Sequence, residues 1–235
     1  MSDNKRQARI AGLLYLLVAI TAPLGLMVVP ARLIVAGDPA ATATLVAGHD
    51  TLLRLGMASE LFHQAVEVFM VLVLHNLFKP VNRTLAQQML VLGLLPIPMV
   101  FLNVLGEVAA STVASGPAWL AAFGKPQLDA LALLFMHLHA QGLQLAAVFW
   151  GLWLLPLGLL ALRCGFIPKA FGWLVIASSL GYVLGSFTSL IAPGLAAPLA
   201  TPVFVLELGE PMMILWLVLV GARTRPPTTS AALPA

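Results

Sequence analysis

The chain has 235 residues, of which 60% are hydrophobic and only 9% charged, and its formal net charge is +3. A soluble domain carries roughly 25% charged residues and needs polar side chains over its outside, so an ordinary water-soluble domain, a disordered chain and a nucleic-acid binder are all excluded. The single cysteine, Cys164, excludes an intramolecular disulfide and a CxxC metal or redox motif.

About 20 apolar residues are needed for a helix to cross the roughly 30 Å hydrocarbon layer. Six stretches reach that length. The first, 10–29, lies between Arg9 and Pro30. Its basic start followed by an apolar run has the look of a secretory signal, but the run exceeds the roughly 7–15 residues of a signal core, so an uncleaved first span is expected. Residues 31–50 then read as an outside loop, with a turn at Gly37-Asp38-Pro39 and an alanine/threonine stretch suited to the membrane surface. The second span is 52–78 and the third 85–111, the latter bent by Pro96 and Pro98. The fourth is 128–162. In the fifth, 170–191, Ala177, Gly181 and Gly185 recur every four residues, a spacing that lets helices approach closely. The sixth, 202–220, carries Pro211, which removes the hydrogen bond to the carbonyl of Glu207. Some of the tryptophans, Trp119, Trp150, Trp153, Trp173 and Trp216, read as interface anchors. Residues 223–235 lack periodicity and read as a disordered cytoplasmic tail.

Lysine and arginine set the expected orientation. Lys5, Arg6, Arg9, Lys79, Arg83, Arg163, Lys169, Arg223 and Arg225 flank one side, and only Arg32, Arg54 and Lys125 flank the other, out of twelve basic residues. The positive net charge is therefore a topology signal. The expected fold class is all-α: a polytopic transmembrane bundle of six spans, one domain over residues 1–222, with both termini cytoplasmic.

Ionisable groups within a membrane are costly, and each is a functional candidate. The second span places Glu60, His63 and Glu67 on one helix face, and the Glu60-x-x-His63 spacing is one by which a helix presents two ligands to a metal. The sixth span offers Glu207 and Glu210, the third Asn103 and Glu107, and the fourth His137, Gln141 and Gln144 on one face with His139 off it. At about 1.5 Å per residue from the basic flanks, Glu67 lies roughly 18 Å and His63 roughly 24 Å from the inner boundary, with Glu210 and Glu207 at roughly 20 and 24 Å. Polar residues from four helices are thus expected to converge on the outer half of the bundle.

Carboxylates gathered in a low-dielectric site require protons or a counter-charge, from Arg54, from protonated His63 or from a metal ion. The candidate ligand-binding set is Arg54, Glu60, Glu67, Gln141, Gln144, Glu207 and Glu210. The candidate metal set is His63, Glu67, His137 and Glu210, whose donors suit zinc or iron. Haem between His63 and His137 rests on two lone histidines and is disfavoured. No HExxH and no GxSxG motif occurs. Three readings stay open: a periplasm-facing pocket for a proton, metal ion or small polar ligand; a membrane-embedded metal-dependent hydrolase acting on a lipid-like substrate; and a structural or accessory membrane subunit. Apart from the lipid bilayer, the expected partner is a small polar ligand or cation.

Further residues carry a family resemblance: Arg9-Ile-Ala-Gly-Leu-Leu-Tyr15, Leu53-Arg54-Leu55-Gly56, Phe149-Trp150-Gly151 with Leu155-Pro-Leu-Gly158, Gly165-Phe-Ile-Pro-Lys-Ala-Phe-Gly172, and Glu210 with Trp216-Leu217 and Gly221. In order and spacing, from about residue 8 to 222, the chain resembles a bacterial multi-pass membrane family catalogued only as a domain of unknown function. The resemblance implies a bacterial inner-membrane protein and brings no activity with it.

Overall fold

The structure is a computed structural model, and it describes residues 3–222. Residues 223–235, expected above to be a disordered tail, lie outside the described residues. Among the described residues ten α-helices follow one another: α1 Asp3–Pro23, α2 Val29–Leu33, α3 Pro39–Gly48, α4 Asp50–Phe78, α5 Arg83–Leu94, α6 Pro96–Ser115, α7 Lys125–Cys164, α8 Lys169–Ile191, α9 Pro193–Glu207 and α10 Gly209–Leu219. A π-helical turn, Leu24–Val28, joins α1 to α2, and no strand occurs among the described residues. Six segments are long and apolar enough to cross a membrane: Asn4–Leu33, Asp50–Phe78, Arg83–Ser115, Lys125–Cys164, Lys169–Ile191 and Pro193–Leu219.

The boundaries follow local chemistry. Residues 31–50, expected as a loop, are mostly helical. The Gly37-Asp38-Pro39 turn is also a helix start: Asp38 Oδ1 accepts from Ala41 N at 2.9 Å, and Pro39 takes the first helical position. Asn82 caps α5 in the same way, accepting from Leu85 N at 2.9 Å. The third span breaks at Leu95, just before Pro96. The sixth begins at Pro193 rather than 202 and breaks at Leu208. Gly116 and Gly165, at φ 59° and 72°, end α6 and α7 in the left-handed conformation that glycine adopts without strain.

Neighbouring spans run antiparallel. At one end Phe78 stacks on Phe166 with centroids 5.8 Å apart, and Gly221 sits against Lys5 and Arg9. The described basic flanks, Lys5, Arg9, Lys79, Arg163 and Lys169, therefore lie at that end. The largest apolar cluster fills this half, joining Ala8, Leu74, Phe78, Met89, Leu157 and Leu217. At the opposite end α3 packs on α6 and α7, and Ala43, Val113, Leu128 and Ala132 form a smaller cluster. At 40 residues α7 is the longest of the described helices, about 60 Å, and α3 packs against it. The outside of the bundle carries exposed Phe69, Leu102, Leu180, Phe204 and Leu219, an apolar coat that a water-soluble monomer rarely shows.

Candidate functional site

Two polar groups sit inside the bundle, both on the inward face of α4. Glu60 and Glu67 share that face but are seven residues apart, about 10 Å along the helix axis. They serve different neighbourhoods, so the single gathering point expected from the sequence is resolved into two.

The first group joins α4, α6 and α7. Glu60, Glu107 and His139 are 0%, 0% and 1% exposed. One ligand atom from each lies within 4.8 Å of the other two. His139 Nε2 is 3.2 Å from Glu60 Oε1. Around the ring, Asn103 Nδ2 donates to the His139 carbonyl at 2.8 Å, and His139 Nδ1 lies 3.2 Å from the Asn103 carbonyl. Nδ1 is also 3.2 Å from Asn103 Nδ2; in the tautomer whose Nδ1–H goes to the carbonyl, the Nε2 lone pair is directed at the two carboxyl groups. Both oxygens of Glu60, both of Glu107 and His139 Nε2 are buried without a hydrogen-bond partner in the protein.

Close backbone approach makes this arrangement possible. A Cβ on Gly106 would meet the Phe135 carbonyl and His139 Cβ at 3.2 Å, so glycine sets the α6–α7 distance. Gly25, in the π-helical turn, backs directly onto the Glu60 side chain and the Gly56 carbonyl. A π-turn inside an α-helix is a recurrent feature of functional sites. Here it brings the first span onto Glu60.

The second group joins α1, α4, α8 and α10. Tyr15 donates to Glu210 Oε1, and Tyr182 donates to Glu210 Oε2 at 2.8 Å. Next to them runs a chain of side chains from α4. His63 Nδ1 lies 3.0 Å from the Ser59 carbonyl, Gln64 Nε2 lies 3.1 Å from His63 Nε2, and Gln64 Nε2 donates to Glu67 Oε2 at 3.1 Å. The pattern assigns the proton to His63 Nδ1 and both amide hydrogens of Gln64 to bonds. The sixth span is broken beside this group. Pro211 has no N–H for the carbonyl of Glu207, and Ser178 on α8 supplies a substitute: its hydroxyl lies 2.9 Å from the Leu206 carbonyl and 3.3 Å from that of Glu207.

Two cavities adjoin these groups. One, of about 450 Å³, is lined by His139, Gln144, Tyr182, Ser186 and Glu207 among others. The other, of about 390 Å³, is lined by His63, Gln64, Glu67, Glu207 and Glu210 among others. Glu207, Tyr182, Trp150, Leu26 and Phe204 belong to both walls.

Set against the sequence expectations, Glu60, His63 and Glu67 are buried, Glu207 and Glu210 are half-buried, and Gln144 lines the larger cavity. Three other expected residues are exposed. Arg54 is exposed and bound to Asp50 at 2.6 Å, one helical turn away, so its charge is spent outside. His137 and Gln141 are exposed on the outer face of α7. The expected metal set of His63, Glu67, His137 and Glu210 is therefore not assembled: His137 points away, and His63 Nε2 is engaged by Gln64. For the same reason His63 and His137 do not face one another across a haem-sized gap. In the first group Asn103 and Glu107, noted as a polar pair, and His139, noted as off the polar face, were left out of the candidate sets; in the second, Tyr15, Gln64 and Tyr182 were passed over. The Asn103/Glu107 pair at i, i+4 was a usable signal. For His139 the signal was its place in the stripe Ala132, Met136, His139, Leu143, Ala146, whose members are all buried.

The fold and the two groups define an all-helical protein with six helices able to cross a membrane and ionisable side chains sealed among them. Residues 10–221 match the family described as Domain of unknown function (DUF4386), and the chain belongs to that family. No curated protein and no solved structure matches the chain.

Proposed function

We propose that this is a multi-pass protein of the bacterial inner membrane, both termini cytoplasmic, and that Glu60, Glu107 and His139 form a divalent-metal centre in its periplasmic half. The topology rests on the apolar spans and on the basic residues gathered at one end. The metal centre rests on one observation, five buried polar atoms of three ligand-type side chains without a hydrogen-bond partner. A buried polar atom left unsatisfied costs about 1–3 kcal/mol, and a charged one more. With Nδ1–H held by a carbonyl, Nε2 and Glu60 Oε1 are two acceptors facing each other at 3.2 Å. A cation between them and Glu107 turns this mutual repulsion into coordination. One imidazole and two carboxylates suit zinc or iron(II), and Asn103 orients the imidazole as outer-shell partners do.

The test is metal analysis and zinc titration of the purified protein in detergent. One zinc or iron per chain is expected, with loss of binding in Glu107→Gln and His139→Ala and retention in His63→Ala. Metal-free protein whose zinc affinity is the same in all these variants overturns the reading in favour of a proton shared among the three groups. A second reading, metal-dependent hydrolysis of a lipid-like substrate, is favoured by the place of His139 in the wall of the cavity of about 450 Å³, since three protein ligands leave a coordination position for water.

A further inference from the structure

The cavity of about 390 Å³ has a wall chemistry of its own, distinct from the metal centre. Its volume is too great for a bare ion and falls within the roughly 300–1,000 Å³ of small-molecule sites. No lysine or arginine lines it, while three carboxyl groups do, those of Glu67, Glu207 and Glu210. The hydroxyl, amide and imidazole donors on its wall are already used. The hydroxyls of Tyr15 and Tyr182 both go to Glu210, the amide hydrogens of Gln64 go to His63 and Glu67, and His63 Nδ1–H goes to Ser59. Acceptors are left over. Gln64 is 0% exposed, and its carbonyl oxygen Oε1 is buried with no hydrogen-bond partner. The rest of the wall is aromatic, with Tyr15, Trp150, Trp153 and Tyr182. Aromatic faces and carboxylates together attract organic cations.

The way in is also visible. The first span packs on α10, while α9 diverges from it above the break at Leu208. Met27 and Phe204 stand at this gap, 67% and 61% exposed on the outside of the bundle. The cavity therefore reaches the apolar outside of the bundle at these two residues, a position suited to an occupant soluble in lipid.

We infer that this cavity binds a lipophilic protonated amine, its ammonium group among Gln64, Glu67 and Glu207 and its apolar body against the aromatic rings. The protonated amine supplies N–H donors to the acceptors left over on the wall and the charge that the three carboxyl groups call for.

Three ligands of one shape separate charge from shape: 3-phenylpropylammonium, 3-phenylpropanol and 3-phenylpropionate. Each is titrated into the full-length protein in a neutral detergent, followed by calorimetry and by tryptophan fluorescence. The ammonium is expected to bind saturably with one site per chain, the alcohol roughly tenfold or more weaker, and the carboxylate not at all. Glu67→Gln, which keeps the side chain's shape, is expected to weaken the ammonium roughly tenfold or more and to leave the alcohol unchanged. His139→Ala is expected to leave the ammonium affinity unchanged, which keeps this site separate from the metal centre. Equal binding of all three ligands shows a merely apolar pocket and overturns the proposal. So does a protein that melts cooperatively but takes up no ammonium, or zinc uptake that is lost in Glu67→Gln.

Discussion

Gly142 offers a way to disturb the proposed metal centre without touching a ligand. It lies on α7 one turn beyond His139, directly against the Asn103 side chain. A Cβ at Gly142 would stand 2.6 Å from Asn103 Cγ and 3.1 Å from Nδ2, inside ordinary van der Waals contact. In Gly142→Ala the amide must swing away and lose its 2.8 Å bond to the His139 carbonyl. Loss of an outer-shell partner typically weakens metal binding 10–100-fold, about 1.4–2.7 kcal/mol. Alanine meanwhile gains about 0.8–1 kcal/mol of helix propensity over glycine, which offsets part of the repacking cost, so the metal-free fold is expected to survive. Asn103→Ala removes the same group and should have the same effect. Because both changes act through one contact, the double variant should be no worse than the weaker single variant. Zinc affinity, measured by competition with a chelator in detergent, checks all three proteins. Wild-type affinity in both single variants would refute the reasoning, and so would losses that multiply in the double variant.

Other consequences are independent of that contact. Ser178→Ala leaves the carbonyls of Leu206 and Glu207 without their hydroxyl donor and should cost about 1–3 kcal/mol, read as a lower thermal midpoint in detergent. Gly25→Val places two methyl groups on Glu60 and should both destabilise the fold by about 1–3 kcal/mol and lower zinc affinity; an unchanged affinity would show that the π-turn does not hold Glu60. Arg54→Ala should change neither zinc affinity nor melting, because Arg54 is exposed and paired with Asp50 outside the centre. Zinc binding should weaken on acidification, since protons compete for two carboxylates and one imidazole; titration at stepped pH reads this directly. For topology, a cysteine at Asp38 in a Cys164→Ala background should react with an impermeant maleimide on intact cells. One at Asn82 should react only after permeabilisation, and the opposite pattern would reverse the orientation.

The six apolar spans, their basic flanks and the family resemblance were legible in the sequence, because length, hydropathy and the location of lysine and arginine are one-dimensional properties. The Pro211 break was legible as well, since a missing N–H needs no tertiary context. The inward face of each helix was not. In water an amphipathic stripe marks the core, but in lipid both faces of a helix are apolar. On α7 the stripe of His137, Gln141 and Gln144 looked like the working face, yet His137 and Gln141 are exposed while His139 is 1% exposed. Packing chose between these faces, through small residues such as Gly106 that set how closely α6 meets α7. Only tertiary structure shows that Glu60 meets Glu107 and His139 while Glu67, on the same face of α4, belongs with Gln64 at a different depth.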